Sequence, residues 1–180
     1  MNHLFRIGNC AGFSRDRVDA PDPVVDTLIE SGGPCAVFFE VLGERTVALA
    51  QLEKRRDPSR GYEPMLERLL EPILTRCAEH AIAIIGNFGA ANPPGAARSI
   101  AQMALRLGMP GLRIGVVHGD DVRDRIDLAA LPVYEADAAL DMGGGVRWRT
   151  TQRIRTQSYL MPPGDLSPGS RVWSAAELAQ

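Results

Sequence analysis

The sequence lacks several features that would quickly assign it to a class of protein. Its formal net charge is only −2, so charge gives no reason to expect a nucleic-acid or anionic-membrane partner. No apolar run approaches the roughly 18 residues of a membrane span, and the start "MNHLFRIGNCAGF" has no signal-peptide pattern. Three cysteines, an odd number, do not indicate a disulfide framework. We therefore expect a soluble protein of the reducing cytoplasm.

Common cofactor and metal motifs are also missing. Neither "GNCAGF" nor "GNFGAANPPGAA" has the spacing of a dinucleotide or Walker loop, which weighs against a dehydrogenase. The three histidines, His3, His80 and His118, show no metal-ligand spacing. Asp120 and Asp121, with Glu40 as a possible third carboxylate, would suit a divalent metal, but they are too few for us to assign metal ligands.

Strands and helices alternate along most of the chain. The 180 residues, 45% of them hydrophobic, fit one globular domain. Apolar runs at residues 4–8, 35–42, 81–88 and 112–119 are typical of parallel strands covered on both faces. They predict an α/β fold for residues 1–130: an open, Rossmann-like parallel sheet of about four βα units. Half of a closed barrel is the alternative, which we disfavour because the chain is too short for eight units. The pattern decays in residues 131–180, which we predict to be an irregular C-terminal extension.

Helices are predicted between these strands. Residues 21–33 and 44–56 each have the composition of a short helix with a Gly or Pro stop. An apolar helical face runs through residues 62–80, where Pro72 should kink the helix or divide it in two. The segment 89–111 begins as a Gly/Pro loop and continues as an alanine-rich helix.

Polar residues follow each predicted strand, where ligands of parallel α/β proteins bind. The predicted substrate-binding residues are Asn9 and Cys10 after the first strand, Asn87, Gly89 and Asn92 after the third, and Gly119 after the fourth; the predicted acid–base residues are Glu40, Asp120 and Asp121. Four strands that each bring a polar group to one edge indicate a site more strongly than any single residue does.

The carboxylates have competing explanations. Asp121 is the better candidate for the N-cap of a following helix, whereas Asp120 lies nearer the strand end and is the better candidate for a general acid or base. Glu40 interrupts the apolar run "AVFFEVL". It either forms an ion pair with Arg45 or, if unpaired in a dry cleft, acts as a general acid or base.

The remaining candidates also have two explanations each. Asn87 and Asn92 could hold a substrate oxyanion, or they could stabilise turns through local hydrogen bonds. Cys10 could be a nucleophile, but with no assignable histidine base a small buried side chain is favoured. The arginines of residues 147–155 suit a phosphate-bearing substrate or a solvated face, and the latter is favoured.

Four segments carry a family resemblance. The stretches "RIGNCAGFSRDRVDA", "VFFEVLGERTVALAQLEKRRDPSRGYEPML", "IAIIGNFGAANPPGAA" and "GLRIGVVHGDDV" resemble, in this order, the N-terminal region of the acyclic terpene utilisation (AtuA) family, formerly a domain of unknown function. The resemblance implies a catabolic role on citronellol, geraniol and related branched acids as CoA thioesters. It supplies no settled reaction and no catalytic residues.

This sequence departs from the family pattern after the fourth segment. The resemblance implies a further α/β portion opened by a Ser-Ala-Asn-Ala-Tyr-Leu-Gly-like motif, where this chain has "RTQSYLMPPGDLSPG". A short or truncated form is therefore expected. Two hypotheses follow: a lyase- or hydratase-type enzyme, or a portion of one, acting on branched acids or acyl-CoA thioesters; or a non-catalytic binding or subunit module that needs a second copy or a partner supplying the missing half.

Overall fold

The computed structural model describes residues 4–117, 119, 121 and 171–179. The chain divides into two compact units, one of Met1–Val117 with Ser158–Gln180 and the other of His118–Gln157. The described elements are β1 (Arg6–Ala11), α1 (Pro21–Ser31), β2 (Cys35–Phe39), α2 (Glu44–Arg56), α3 (Leu66–Leu70), α4 (Leu74–Glu79), β3 (Ala83–Gly86), α5 (Pro93–Arg106), β4 (Arg113–Val116), β5 (Arg171–Ser174) and α6 (Ala175–Leu178). None of the described helices is long and apolar enough to cross a membrane.

Three strands form a parallel sheet in the order β1–β2–β3. The central strand β2 pairs with β1 from Cys35 to Phe39 and with β3 from Ala36 to Phe39. Its Val37 and Phe39 side chains are completely buried, as expected for a strand covered on both faces. This arrangement confirms the α/β class and an open parallel sheet.

The helices between these strands begin and end where local signals place them. Pro21 opens α1, and Gly32 ends it by donating its N–H to the Leu28 and Ile29 carbonyls at a φ of +61°. The helical segment 62–80 is divided at Pro72 into α3 and α4, because proline has no N–H to donate and its ring crowds the preceding turn.

The fourth predicted strand differs from the expectation. β4 pairs antiparallel with β5, in a two-stranded sheet separate from the parallel one, so four parallel βα units are not confirmed in the described part of the chain. Apolar periodicity identifies a strand but not its partner, and here the partner comes from residues 171–174. The predicted boundary near residue 130 lies outside the described residues and stays a prediction.

A single apolar core fixes the ends of the parallel strands. Phe39 at the end of β2 contacts Phe88 just beyond β3, with ring centroids 5.0 Å apart. The α3–α4 segment adds Leu66, Leu70 and Ile73, all nearly or fully buried. Two strand exits are therefore held together by well-packed side chains, which makes them suitable for positioning polar groups.

Candidate functional site

The first strand extends further than its sequence suggests. β1 continues to Ala11, so Asn9 and Cys10 lie within the strand rather than in a turn after it. Asn9 is exposed, whereas Cys10 is only 2% exposed. Burial, together with the neighbouring Cys77, raises the pKa of the Cys10 thiol to about 12. Cys10 is therefore protonated at neutral pH and is a small buried side chain, not a thiolate nucleophile.

Glu40 lies directly after the central strand, and an asparagine holds its carboxylate. Its backbone N–H donates to the carbonyl of Ala11 at 3.1 Å, which joins the ends of β1 and β2. Its Oε1 accepts the Nδ2–H of Asn87 at 2.7 Å and the backbone N–H of Leu42 at 3.0 Å. Arg45 forms no ion pair with Glu40, so the ion-pair alternative does not hold, and the amide of Asn87 is the partner instead.

Asn87 follows β3 and uses both ends of its amide. Its Oδ1 accepts the backbone N–H of Val41 at 2.8 Å, while Nδ2 donates to Glu40. These two hydrogen bonds, to Glu40 and Val41 just after β2, fix the orientation of the Asn87 amide. The second N–H of Nδ2 donates to no described residue, so it is available to a ligand oxygen.

Sequence reasoning missed a second carboxylate at this edge. Glu63 is only 4% exposed, and its backbone N–H donates to the Phe88 carbonyl at 2.8 Å. Its Oε2 accepts the Ser14 hydroxyl at 2.6 Å and its Oε1 accepts the Met65 N–H at 3.0 Å. No described cation lies within ion-pair distance of Glu63, which is uncommon for a buried acid.

A local signal could have identified Glu63. The apolar pattern of residues 62–80 places Glu63 in a helix, where a glutamate is usually a solvated surface residue. Pro64 follows it directly, and a residue before proline is driven out of the helical conformation. The helix α3 in fact begins only at Leu66, which leaves Glu63 in the connection that crosses the end of β3.

These contacts close into a circuit around the strand exits, which we call the carboxyl-edge ring: Ser14, Glu40, Glu63 and Asn87. The carbonyl of Ala11 meets the Glu40 N–H, and the Glu40 carboxylate meets Asn87. Phe88, the residue after Asn87, accepts the backbone N–H of Glu63 at its carbonyl. The Glu63 carboxylate in turn accepts the hydroxyl of Ser14, which lies three residues after Ala11 and so closes the circuit. Three strand ends and two carboxylates are thereby fixed relative to one another.

Asn92 and Gly89 lie close by but serve the fold. The Oδ1 of Asn92 caps α5 by accepting the Gly95 N–H at 3.1 Å, and its Nδ2 donates to the carbonyls of Pro58 at 3.1 Å and Arg60 at 2.7 Å. Both of its N–H donors are therefore used within the protein. Gly89 is packed so closely that a Cβ there would lie 2.7 Å from Cα of Pro93.

The residues that follow the fourth predicted strand belong to a different compact unit from the carboxyl-edge ring. Asp120 lies outside the described residues. Gly119, with a φ of +114°, and Asp121 are both exposed and belong to the second compact unit, residues His118–Gln157. Their predicted roles, and that of Asp120, stay predictions. Within the described residues, no group of three His, Cys, Asp or Glu side chains could hold a metal ion.

Comparisons with known proteins give one match. No curated protein and no solved structure matches the chain. The family model described as "Acyclic terpene utilisation family protein AtuA" matches residues 5–160, a range that includes all four residues of the carboxyl-edge ring. The expected resemblance is thus confirmed over most of the chain: this protein belongs to the acyclic terpene utilisation family, AtuA.

Proposed function

We propose that the protein is a catabolic enzyme, or a portion of one, acting on branched, acyclic terpenoid-derived acids or their CoA thioesters. The proposed chemistry is acid–base catalysis of the lyase or hydratase type. Family membership supports the substrate class. The observation that carries the chemistry is the Glu40 carboxylate, held at the exit of the central strand by a 2.7 Å hydrogen bond from Asn87.

The contacts of Glu40 suit a general base. Oε1 is occupied by Asn87 and the Leu42 N–H, while no described residue donates to Oε2. A fixed carboxylate with one uncommitted oxygen can accept a proton from the carbon next to a thioester carbonyl. The proton moves from carbon to Oε2, and the bonding electrons shift toward the carbonyl oxygen.

Asn87 would stabilise the charge that develops on that oxygen. Its second N–H is uncommitted among the described residues, and its amide plane is fixed by Val41 and Glu40. A preorganised donor of this kind stabilises an oxyanion more than the neutral carbonyl. The leaving hydroxyl would depart as water after it takes up a proton from solvent or from Glu40. Asp120 stays a predicted acid–base residue. No redox cofactor is needed for such a step.

Replacing Glu40 with glutamine tests the proposal. Glutamine preserves an acceptor for Asn87, so we expect the melting temperature to remain nearly unchanged. Turnover of the CoA thioesters of the citronellol- and geraniol-derived acids should fall by about 10²-fold or more, because the base is lost. Glu44→Gln, on the exposed first turn of α2, is the matched control and should leave turnover unchanged. Full activity in the Glu40→Gln variant would contradict the proposal.

Asp120 needs its own variant. Asp120→Asn should abolish turnover while the melting temperature stays nearly the same. A large loss of stability with residual activity would instead identify Asp120 as a structural residue.

A non-catalytic binding or subunit module is the second candidate. Exposed apolar side chains on and before β1 favour it. β1 is one of the two edge strands of the described parallel sheet, and Leu4, Phe5 and Ile7 are 66%, 54% and 69% exposed. An edge strand with an apolar surface is a ready place for another chain to pair. Light scattering tests this: a monomer that binds the CoA thioesters would contradict the subunit role.

A further inference from the structure

The loop that follows β1 is a compact turn, residues 12–16, which we call the rim loop. Asp16 closes it twice: its Oδ2 accepts the Gly12 N–H at 3.0 Å, and its own N–H donates to the Phe13 carbonyl at 3.2 Å. Ser14 ties the loop to the buried Glu63. The loop is thus anchored on the carboxyl-edge ring and begins one residue after Ala11, which contacts Glu40.

Arg15 adopts a backbone conformation that a long side chain rarely takes. Its φ is +62°, in the left-handed region where the Cβ crowds the backbone. Such conformations persist where surrounding contacts enforce them, and they concentrate at functional sites. The hydrogen bonds of Ser14 and Asp16, on either side of Arg15, are those contacts.

The rim loop exposes an aromatic side chain and a cationic one, two residues apart along the chain. Phe13 is 62% exposed, and Arg15 is exposed. Arg15 has no ion pair or hydrogen bond with any described residue, whereas Arg17, two residues on, is held by Asp19 through Nε at 3.1 Å and Nη2 at 2.7 Å. One guanidinium of the segment is therefore neutralised, and the other remains available.

We propose that Arg15 and Phe13 form a binding site for an anion that carries an apolar body. The guanidinium would pair with a carboxylate or phosphate, since its planar fork of N–H donors matches either group. The Phe13 ring would cover adjoining hydrocarbon. The inference rests on the proposed function in one respect: it names the charged end of the molecule on which Glu40 would act.

Binding measurements on the whole chain test this inference. The probes are citronellic acid, which offers a carboxylate, and CoA alone, which offers phosphates. Arg15→Gln should weaken binding of one of them about tenfold or more, the usual effect of losing hydrogen bonds to a charged group. The matched control Arg17→Gln should change binding less than twofold, because Asp19 already neutralises Arg17. The probe that is affected identifies the anion.

A second variant separates binding from folding. Glycine adopts a φ of +62° without strain, so Arg15→Gly should melt no lower than the parent protein while losing the same affinity. If the parent protein binds neither citronellic acid nor CoA, the inference is overturned. Equal losses in Arg15→Gln and Arg17→Gln would also overturn it, because they would indicate a general charge effect.

The two proposals fail in different ways. Binding of the probes does not depend on turnover, and the control variant Glu44→Gln should bind them as the parent protein does. If no CoA thioester is turned over but Arg15→Gln still loses affinity, only the proposed function is wrong. If turnover occurs and Arg15→Gln binds normally, only the rim-loop site is wrong.

Discussion

Replacing Asn92 with alanine would show whether this residue serves the fold or a ligand, because the structure commits its whole amide to backbone groups. Loss of the N-cap to Gly95 should destabilise the protein by about 1 kcal/mol. Each lost bond from Nδ2, to Pro58 at 3.1 Å and Arg60 at 2.7 Å, should contribute about 1 kcal/mol more. The expected fall in the free energy of unfolding is therefore about 3 kcal/mol.

Urea denaturation measures this directly. With a slope of about 2 kcal/mol per molar urea, the unfolding midpoint should fall by about 1.5 M. Asn92→Asp provides a sharper comparison, because the carboxylate still caps α5 but places oxygen against the Pro58 and Arg60 carbonyls. A buried charge facing two acceptors is unfavourable, so this variant should lose more stability than Asn92→Ala does.

The control is Asn9→Ala, at an exposed position in β1, which should change the free energy of unfolding by less than about 0.5 kcal/mol. The structural role of Asn92 is refuted if Asn92→Ala costs no more than this control and instead weakens binding of a CoA thioester. That result would restore the oxyanion-binding role which the sequence also allowed.

Two further predictions concern glycine and the buried thiols. Gly61→Ala should lower the free energy of unfolding by more than about 2 kcal/mol, because Gly61 has a φ of +96° and a Cβ there would lie 2.8 Å from the carbonyl oxygen of Ala50. Gly108 has a φ of +76° but open space around it, so Gly108→Ala should lose only about 1 kcal/mol in the same urea denaturation experiment. The pKa of Cys10 is about 12 and that of Cys77 about 11, both raised by burial from 9.0. The unfolded thiols therefore lose protons first, and stability should fall between pH 9 and 11 by up to about 1.4 kcal/mol per pH unit for each thiol; urea midpoints that stay constant over this range would contradict the assigned burial.

Local signals were sufficient for the helices and for the positions of the parallel strands. Pro21, Gly32 and Pro72 act on their own neighbours, so their effects can be predicted without knowledge of the fold. The end of β1 could not be predicted from local signals. Asn9 is typical of turns, and only pairing with the buried β2 keeps it in a strand. The partner of β4 was not predictable either, because strand pairing depends on residues far away along the chain.

The positions of two candidate residues were predictable where the strand-end rule applies, while their functional roles stay predictions. The rule placed Glu40 and Asn87 at one edge, and the adjacency of β2 and β3 brings them into contact. Glu63 was missed because it belongs to a connection between elements, where the rule says nothing. The pairing of Glu40 with an amide rather than with Arg45 depends on side-chain geometry that spacing along the chain does not specify.

The pairing of β4 with β5 has a consequence for how the protein is made. The first compact unit is unfinished until residues 171–178 have been synthesised, because Ala175 is completely buried and its N–H donates to the Leu112 carbonyl at 2.8 Å. A ribosome must therefore have synthesised the chain as far as α6 before this unit can close.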